Sequence, residues 1–232
     1  MKSLGDRMKM NYENRSRIKL IRRMPVILRL DGKAFHTLTR GCDKPFDRNL
    51  NNAMIATASK VFEDIQGCKL AYHQSDEISL LLTDFDTLTT DAWFDYNIQK
   101  MCSIAAALAS VEFSIKYGVR GYFDCRAFNI PKEEVCNYFI WRQIDWERNS
   151  LQMLAKAHFS HKELHKKNSS DIHEMLFEKG VNWADLEDRW KNGSTIIKYP
   201  GCNAVLHNFQ FKKDRDDIEE LLEVNDEKEN EV

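Results

Sequence analysis

The order of hydrophobic periods along the first 131 residues restricts the fold of this chain more than any other feature. Residues 24–31 (MPVILRLD) are rich in Val, Ile and Leu and end at the turn signal Asp31-Gly32, so they read as a buried strand that stops at a carboxylate. Over 47–65, Leu50, Met54, Ala58, Val61 and Phe62 recur at helical spacing, with Asp47 placed to cap the start. Residues 68–72 and 78–82 are two further strands. The polar stretch His73-Gln74-Ser75-Asp76-Glu77 separates them, which makes a hairpin with an acidic tip. A helix over about 93–117, closed by Gly118, and a strand over 122–130, ended by Pro131, complete the order β-α-β-β-α-β. That order predicts an α+β fold of the ferredoxin-like, split βαβ kind: four antiparallel strands, two helices on one face, and the other face open for a ligand.

After Pro131 the texture turns helical. One or two helices are expected over 133–165 and another over 171–179, closed by Gly180. Short strands at 195–199 and 204–211 flank the turn cluster Pro200-Gly201-Cys202-Asn203 and suggest a terminal β-hairpin. The expected organisation is therefore a region 1–131 and a mainly helical region 132–232. From residue 214 a short helix around Ile218, Leu221 and Leu222 is expected to give way to acidic coil.

Composition sets the outer bounds. With 232 residues, 43% hydrophobic and 30% charged, the chain can bury a core and is neither disordered nor fibrous. No stretch approaches the roughly 18 consecutive apolar residues of a spanning helix, so no membrane span is expected. The opening MKSLGDRMKMNYENRSR has no apolar core of a signal peptide, and a cytoplasmic location is the expectation. The six cysteines are scattered without a C-x-x-C pair and read as reduced thiols that fill the core. The net charge of -2 hides an asymmetry: residues 1–23 hold eight Lys/Arg against two Asp/Glu, and residues 212–232 hold four against ten. The basic end suits either a phosphate backbone or a solvated helix face.

The sharpest chemical feature is a pair of carboxylate sites, Asp31 at the end of the first strand and Asp76-Glu77 at the hairpin tip. In the split βαβ topology the first and third strands are the inner pair, so these acids are neighbours. Carboxylates at adjacent strand ends repel unless a cation lies between them, and a hard divalent ion with oxygen ligands is the usual solution. Two such ions about 3.5–4 Å apart clamp the attacking and leaving oxygens of a phosphoryl transfer, which points to a nucleotidyltransferase. In the turn Gly32-Lys33-Ala34-Phe35-His36 the glycine lets the backbone approach a triphosphate and Lys33 supplies charge; Lys44 is a second phosphate candidate. Alternation puts Ile78, Leu80 and Leu82 on the core face and Glu77 and Ser79 on the open face. Asp76 falls in the turn, and the pattern does not choose between Asp76 and Glu77.

A second constellation is KAHFSHKELHKK, residues 156–167, in which His158, His161 and His165 alternate with Lys156, Lys162, Lys166 and Lys167. His161 and His165 at i, i+4 share a helix face that suits a metal. Neither an H-E-x-x-H order nor a neighbouring cysteine accompanies them, so a basic face for nucleic acid is the better reading. The aromatic cluster Tyr138, Phe139, Trp141 and Trp146 reads as core. Two other functions compete with a nucleotidyltransferase. A silent RNA-binding module gives no reason for Asp31, Asp76 and Glu77, and a nucleotidyl cyclase explains the metals but not the basic C-terminal helix.

Several blocks taken together resemble the histidine-tRNA guanylyltransferases and the guanylyltransferase-like proteins related to them, which add nucleotides in the 3′-to-5′ direction. They are LGDRMKMNYE (4–13), RLDGKAFHTLTR (29–40), KPFD (44–47), AYHQSDEISLLL (71–82), FDCRAFNIP (123–131) and YFIWRQIDWERNSLQMLAKAHFSHKEL (138–164). The resemblance implies a polymerase-like palm domain, a helical C-terminal region that binds tRNA and supports oligomerisation, two Mg2+ ions, and a dimer or tetramer. It implies that Asp31, the Gly32 carbonyl and Asp76 hold the metals, with Glu77 supporting the acidic site. Asp31, Gly32, Lys33, Ala34, Phe35, His36, Ser75 and Asp76 would hold GTP or ATP, with Lys44 and Asp47 also touching it. Arg126 and the basic residues Lys156, His158, Lys162, Lys166 and Lys167 would lie among the tRNA contacts. In the family a tRNA 5′ monophosphate is activated with ATP or GTP before the 3′-hydroxyl of an incoming nucleotide attacks it. The family's histidine-specific enzymes carry a His-Ile-Asn-Asn block after W-R-Q-x-D, where this chain has Glu147-Arg148-Asn149-Ser150. That departure favours the guanylyltransferase-like branch and template-dependent repair of tRNA 5′ ends, with a dedicated guanylyltransferase as the alternative.

Overall fold

The computed structural model of the chain describes residues 3–198 and 204–223. The apolar run at residue 24 becomes β1 (Val26–Gly32), preceded by the solvated helix α1 (Leu4–Asn11), which Ser3 and Asp6 cap reciprocally. Much of the basic N-terminal charge is already engaged. Arg22 pairs with the buried Asp84, and the backbone N–H of Arg23 donates to the same carboxylate at 2.9 Å. A short helix α2 (Phe35–Leu38) leads to α3 (Arg48–Asp64), where Asp47 accepts the Leu50 N–H at 2.8 Å as the expected cap. The hairpin follows as β2 (Cys68–Gln74) and β3 (Glu77–Leu82), then α4 (Ile98–Tyr117), closed by the left-handed Gly118, and β4 (Phe123–Asn129).

The expected β-α-β-β-α-β order is present, and its first layer packs as predicted. Val26, Leu28 and Leu30 of β1 and Ile78, Leu80 and Leu82 of β3 meet Met54, Ala58 and Val61 of α3 and Met101, Ala105 and Phe113 of α4. By length and composition α4 suffices to cross a membrane, but its inner stripe is core; Ile104, Val111 and Ile115 lie on its outer side.

The second face of the sheet is not open. The 27-residue helix α5 (Lys132–His158) lies on it, and Val135, Tyr138 and Phe139 pack against Ile27, Leu70, Tyr72 and Leu81. Phe209, Phe211, Ile218 and Leu222 join the same cluster, the last two from and just beyond α9 (Arg215–Glu220), the short helix foreseen there. Gln143 fastens this cover. Its amide donates to the carbonyls of Asn192 and Phe209 at 2.9 and 2.7 Å and accepts the Phe211 N–H at 3.1 Å. The helical stretch after 131 divides at Phe159, whose extended backbone ends α5 before α6 (His161–Leu164); α7 (Ser169–Glu178) then packs Ile172 and Leu176 on Leu151, Leu154 and Ala155.

After α8 (Asp188–Asn192), the terminal hairpin forms as β5 (Ser194–Ile197) and β6 (Val205–His207), but it extends the main sheet. β5 pairs with β2, which gives an antiparallel six-stranded order β4-β1-β3-β2-β5-β6. Chain on both sides of residue 131 therefore shares one sheet. The turn residues 200–203 and the acidic coil expected from 224 onward lie outside the described residues.

Candidate active site

The loop after β1 is shaped by one aromatic ring. A Cβ on Gly32 would lie 2.4 Å from the ring of Phe35, which is itself wedged between Phe113 and Phe123, so only glycine lets the chain turn over that ring. Two backbone hydrogen bonds then latch the loop: Gly32 N–H donates to the Asp76 carbonyl at 3.0 Å, and Lys33 N–H donates to the Tyr122 carbonyl at 2.7 Å. Between loop and hairpin tip is a cleft of about 360 Å³, lined by Gly32, Ala34, Phe35, His36, Thr39, Leu50, Ser75, Asp76 and Met153. Six residues expected to hold a nucleotide thus share one cleft. Thr39, Leu50 and Met153 were not expected at the site, Leu50 having read only as part of the apolar stripe of α3; Met153 comes from α5, so the second region completes the cleft.

The hairpin tip is tighter than expected. β2 runs through Gln74 and β3 starts at Glu77, leaving a two-residue turn in which Ser75 is left-handed. The buried His73 ring nitrogen Nε2 lies 3.0 Å from the Ser75 carbonyl and holds the turn from below; burial pushes its pKa down to about 4. Asp76 accepts from the Ser75 hydroxyl at 3.0 Å. Its carboxyl is held above the usual range, first by burial and then by the nearby Asp31 and Glu77, with the Ser75 hydroxyl opposing.

The two acids at the tip differ in their surroundings. Asp31 stands directly opposite Glu77 on β3 and Asp124 on β4, so all three project toward the α5 side. Glu77 is buried there and fully engaged: Arg142 Nε and Nη2 donate to its two oxygens at 2.7 and 2.9 Å. Asp31 and Asp76 stand in no ion pair among the described residues. An uncompensated pair of carboxylates with oxygen donors suits a hard divalent cation such as Mg2+, and Glu77, already neutralised, adds no ligand. Among the described residues no three His, Cys, Asp or Glu side chains converge, so the remaining ligands would be backbone or substrate oxygens.

Other expected residues lie apart from the cleft. Lys33 and Lys44 do not line it. Asp47 gives one oxygen to the Leu50 N–H and the other to the Asp43 N–H at 3.1 Å, and the first of these lowers its pKa. Lys156 and Lys166, with His161 and His165, border a second cavity of about 610 Å³ between α5 and α6. The shared helix face that suggested a metal for His161 and His165 is absent, because α6 stops at Leu164 and His165 is extended. Lys162 and Lys167 flank that cavity in the chain, and His158 ends α5 with its carbonyl accepting from Lys179. Tyr138, Phe139 and Trp146 are core as read, but Trp141 is 52% exposed. In the Glu147–Ser150 block, Ser150 receives the Trp183 N–H at 3.0 Å, and burial pushes the half-buried Glu147 carboxyl up.

An antiparallel palm-like sheet with two acids in no ion pair, Asp76 lining the cleft and Asp31 next to its Gly32, fits a nucleotidyltransferase. The chain belongs to the tRNAHis guanylyltransferase (Thg1) family, whose sequence profile matches residues 5–131. A bacterial tRNAHis guanylyltransferase (Thg1)-like protein, solved in complex with ATP, is 45% identical, with a TM-score of 0.89 over 96% of this chain and 100% of that one. Another such structure, in complex with GTP, is 42% identical at a TM-score of 0.85, again over 96% and 100%. The tRNA(His) guanylyltransferase of Schizosaccharomyces pombe is 29% identical over 197 residues, 75% of this chain and 74% of that protein.

Proposed function

We propose that this chain is a template-dependent 3′-to-5′ nucleotidyltransferase that restores missing nucleotides at the 5′ end of tRNA, with ATP or GTP activating 5′-monophosphate ends. The observation that carries this reading is the pair Asp31 and Asp76, two acids that no Lys or Arg side chain neutralises among the described residues, beside the cleft under the Gly32–His36 loop. In it the Gly32–His36 loop faces the phosphates, while Leu50 and Met153 offer an apolar wall to the base. The similar proteins solved with ATP and with GTP support use of both nucleotides here.

Asp31, the Gly32 carbonyl and Asp76 would hold two Mg2+ ions, which supply positive charge to the triphosphate and favour ionisation of the attacking 3′-hydroxyl. The chain's own contribution is placement. Arg142 neutralises Glu77, so Asp31 and Asp76 are the acids of the site that no cationic side chain pairs with. The latch between Gly32 and Asp76 keeps the loop and the tip in step. The incoming 3′-hydroxyl then attacks the first phosphorus of the activated 5′ end and displaces pyrophosphate or a nucleoside monophosphate.

Residues 1–131 carry this chemistry in our reading, and residues 132–232 hold the tRNA through Lys156, Lys166 and their neighbours. The exposed Ile104, Val111 and Ile115 on α4 support assembly into a dimer or tetramer. Glu147, where the histidine-specific enzymes carry an imidazole, supports repair over anticodon-directed addition.

The test is 5′-end addition to two triphosphorylated substrates, a histidine tRNA without its extra guanosine and an unrelated tRNA without its first nucleotide. Extension of both, abolished by Asp31→Ala and Asp76→Ala, is the expected result. Extension of the histidine tRNA alone would establish the dedicated guanylyltransferase instead.

A further inference from the structure

We propose that Cys102 and Cys125 form a redox-modification site, at which a small disulfide such as glutathione disulfide joins the two thiols into a bridge between α4 and β4. Neither cysteine lines the nucleotide cleft, and the site does not depend on the transferase reading.

The packing of α4 along β4 brings the two together. β4 is an edge strand, and side chains of α4 meet its outward N–H groups. Phe123 N–H donates to the Ser110 hydroxyl at 3.0 Å. In an antiparallel ladder alternate residues turn their N–H groups the same way, so Ala127 presents its own to the same flank. Eight residues back along a helix is about 12 Å, and four residues on along a strand is about 13 Å. That step leads from Ser110 to Cys102 and from Phe123 to Ala127, and the Cys102 sulfur accepts the Ala127 N–H. Cys125 lies between Phe123 and Ala127 and packs with them on the helix side of the sheet. Its neighbours Asp124 and Arg126 turn to the other side, 3.9 Å apart.

The chemistry of the pair is divided. Cys102 accepts the Cys125 S–H, and this bond lowers the Cys102 pKa to about 7 against burial, with the Ala127 N–H assisting. The same bond, then burial, pushes the Cys125 thiol up; its other contact is the Arg126 carbonyl at 3.8 Å. Cys102 is therefore the nucleophile and Cys125 the resolving thiol. Both are half-buried at the sheet edge, where a small reagent reaches them. Burial raises Cys68 and Cys136, and Cys42 is bonded to the Tyr117 hydroxyl at 3.2 Å.

In the first step the Cys102 thiolate attacks one sulfur of glutathione disulfide. The S–S bond breaks, and one glutathione leaves as a thiolate that the Cys125 proton neutralises. The Cys125 sulfur then attacks Cys102 in the mixed disulfide and expels the second glutathione, which takes its proton from solvent. Two protein thiols are oxidised to one disulfide, and one glutathione disulfide is reduced to two thiols.

The experiment treats the full chain with glutathione disulfide, blocks the remaining thiols with N-ethylmaleimide, and reads intact mass and tryptic peptides. In the wild type, peptides 101–116 and 121–126 are expected as one linked species that dithiothreitol separates. The bridge is expected to raise Tm, and dithiothreitol to return it to the reduced value. Cys125→Ser is expected to stop at the mixed disulfide, with glutathione on Cys102, and Cys102→Ser to leave Cys125 open to N-ethylmaleimide. Wild-type peptides that stay separate, or a bridge from either to another cysteine, would overturn the site whatever the variants do. A Cys125→Ser variant that binds ATP but takes no glutathione at Cys102 would overturn the division of roles. An oxidised wild type that melts below the reduced form would overturn the fit of the bridge to the native fold.

Discussion

Arg142 grips both carboxylate oxygens of Glu77, at 2.7 and 2.9 Å, directly across the ladder from the uncompensated Asp31. Glu77 is held by an arginine where Asp31 and Asp76 are not, and this pair makes the first prediction. Both side chains are buried, so Glu77→Ala leaves an unpaired guanidinium and is expected to cost about 3–5 kcal/mol of stability by urea unfolding. Glu77→Ala combined with Arg142→Met should recover most of that loss. A single variant as stable as the wild type would show that the pair does not hold the hairpin.

Asp76 behaves in the opposite sense. Its carboxyl titrates above the ordinary range in the folded chain, so the unfolded chain releases that proton at lower pH. Stability therefore falls as pH climbs past the usual aspartate range and stays reduced at neutrality. Without divalent ions, Asp76→Asn is expected to have a higher Tm than the wild type at pH 7 while being inactive. Added Mg2+ should raise the Tm of the wild type more than that of Asp76→Asn. A lower Tm for Asp76→Asn in metal-free buffer would contradict this assignment.

His73 gives a pH dependence at the acid end. The folded chain resists protonating this ring until about pH 4, whereas the unfolded chain takes the proton near 6.5. In that window the unfolded state binds more protons, so stability present above pH 6.5 is lost as pH falls toward 4. Urea midpoints for the wild type should drop between pH 7 and pH 5, and His73→Gln should flatten the drop. Equal slopes for the two proteins would remove His73 from the account.

Much of the fold was legible because it is local. β1, the α3 stripe with its Asp47 cap and the alternation along β3 each depend on residues a few positions apart; the Asp31-Gly32 turn and the acidic tip gave the loop 32–36 and Asp76, and the resemblance added Ser75. What stayed hidden is long-range. The partner of Glu77 lies 65 residues further on, and β5 joins β2 across more than a hundred residues, so neither the covered face nor the neutral Glu77 follows from period two. Helical phase explains the error at Trp141: its neighbours Tyr138 and Phe139 turn inward, while Trp141 turns out. Met153 gave no signal because an apolar residue on an amphipathic helix looks the same over a core as over a cleft.

At Gly32 the prediction is steric. Gly32→Ala sets a Cβ 2.4 Å from the Phe35 ring, which is locked between two other rings. Overpacking of this kind costs about 1–3 kcal/mol. The loop should shift off Asp76, and ATP affinity should fall more than tRNA affinity. Unchanged ATP binding would detach the cleft from the nucleotide.

The most direct measurement changes the template and nothing else. A triphosphorylated tRNA lacking its first nucleotide is prepared with each of the four bases opposite the gap, and the nucleotide added at the 5′ end is identified with all four triphosphates present. Our account predicts that the added nucleotide follows the opposite base by Watson–Crick complementarity in every case. Addition of guanosine whatever base stands opposite would contradict it.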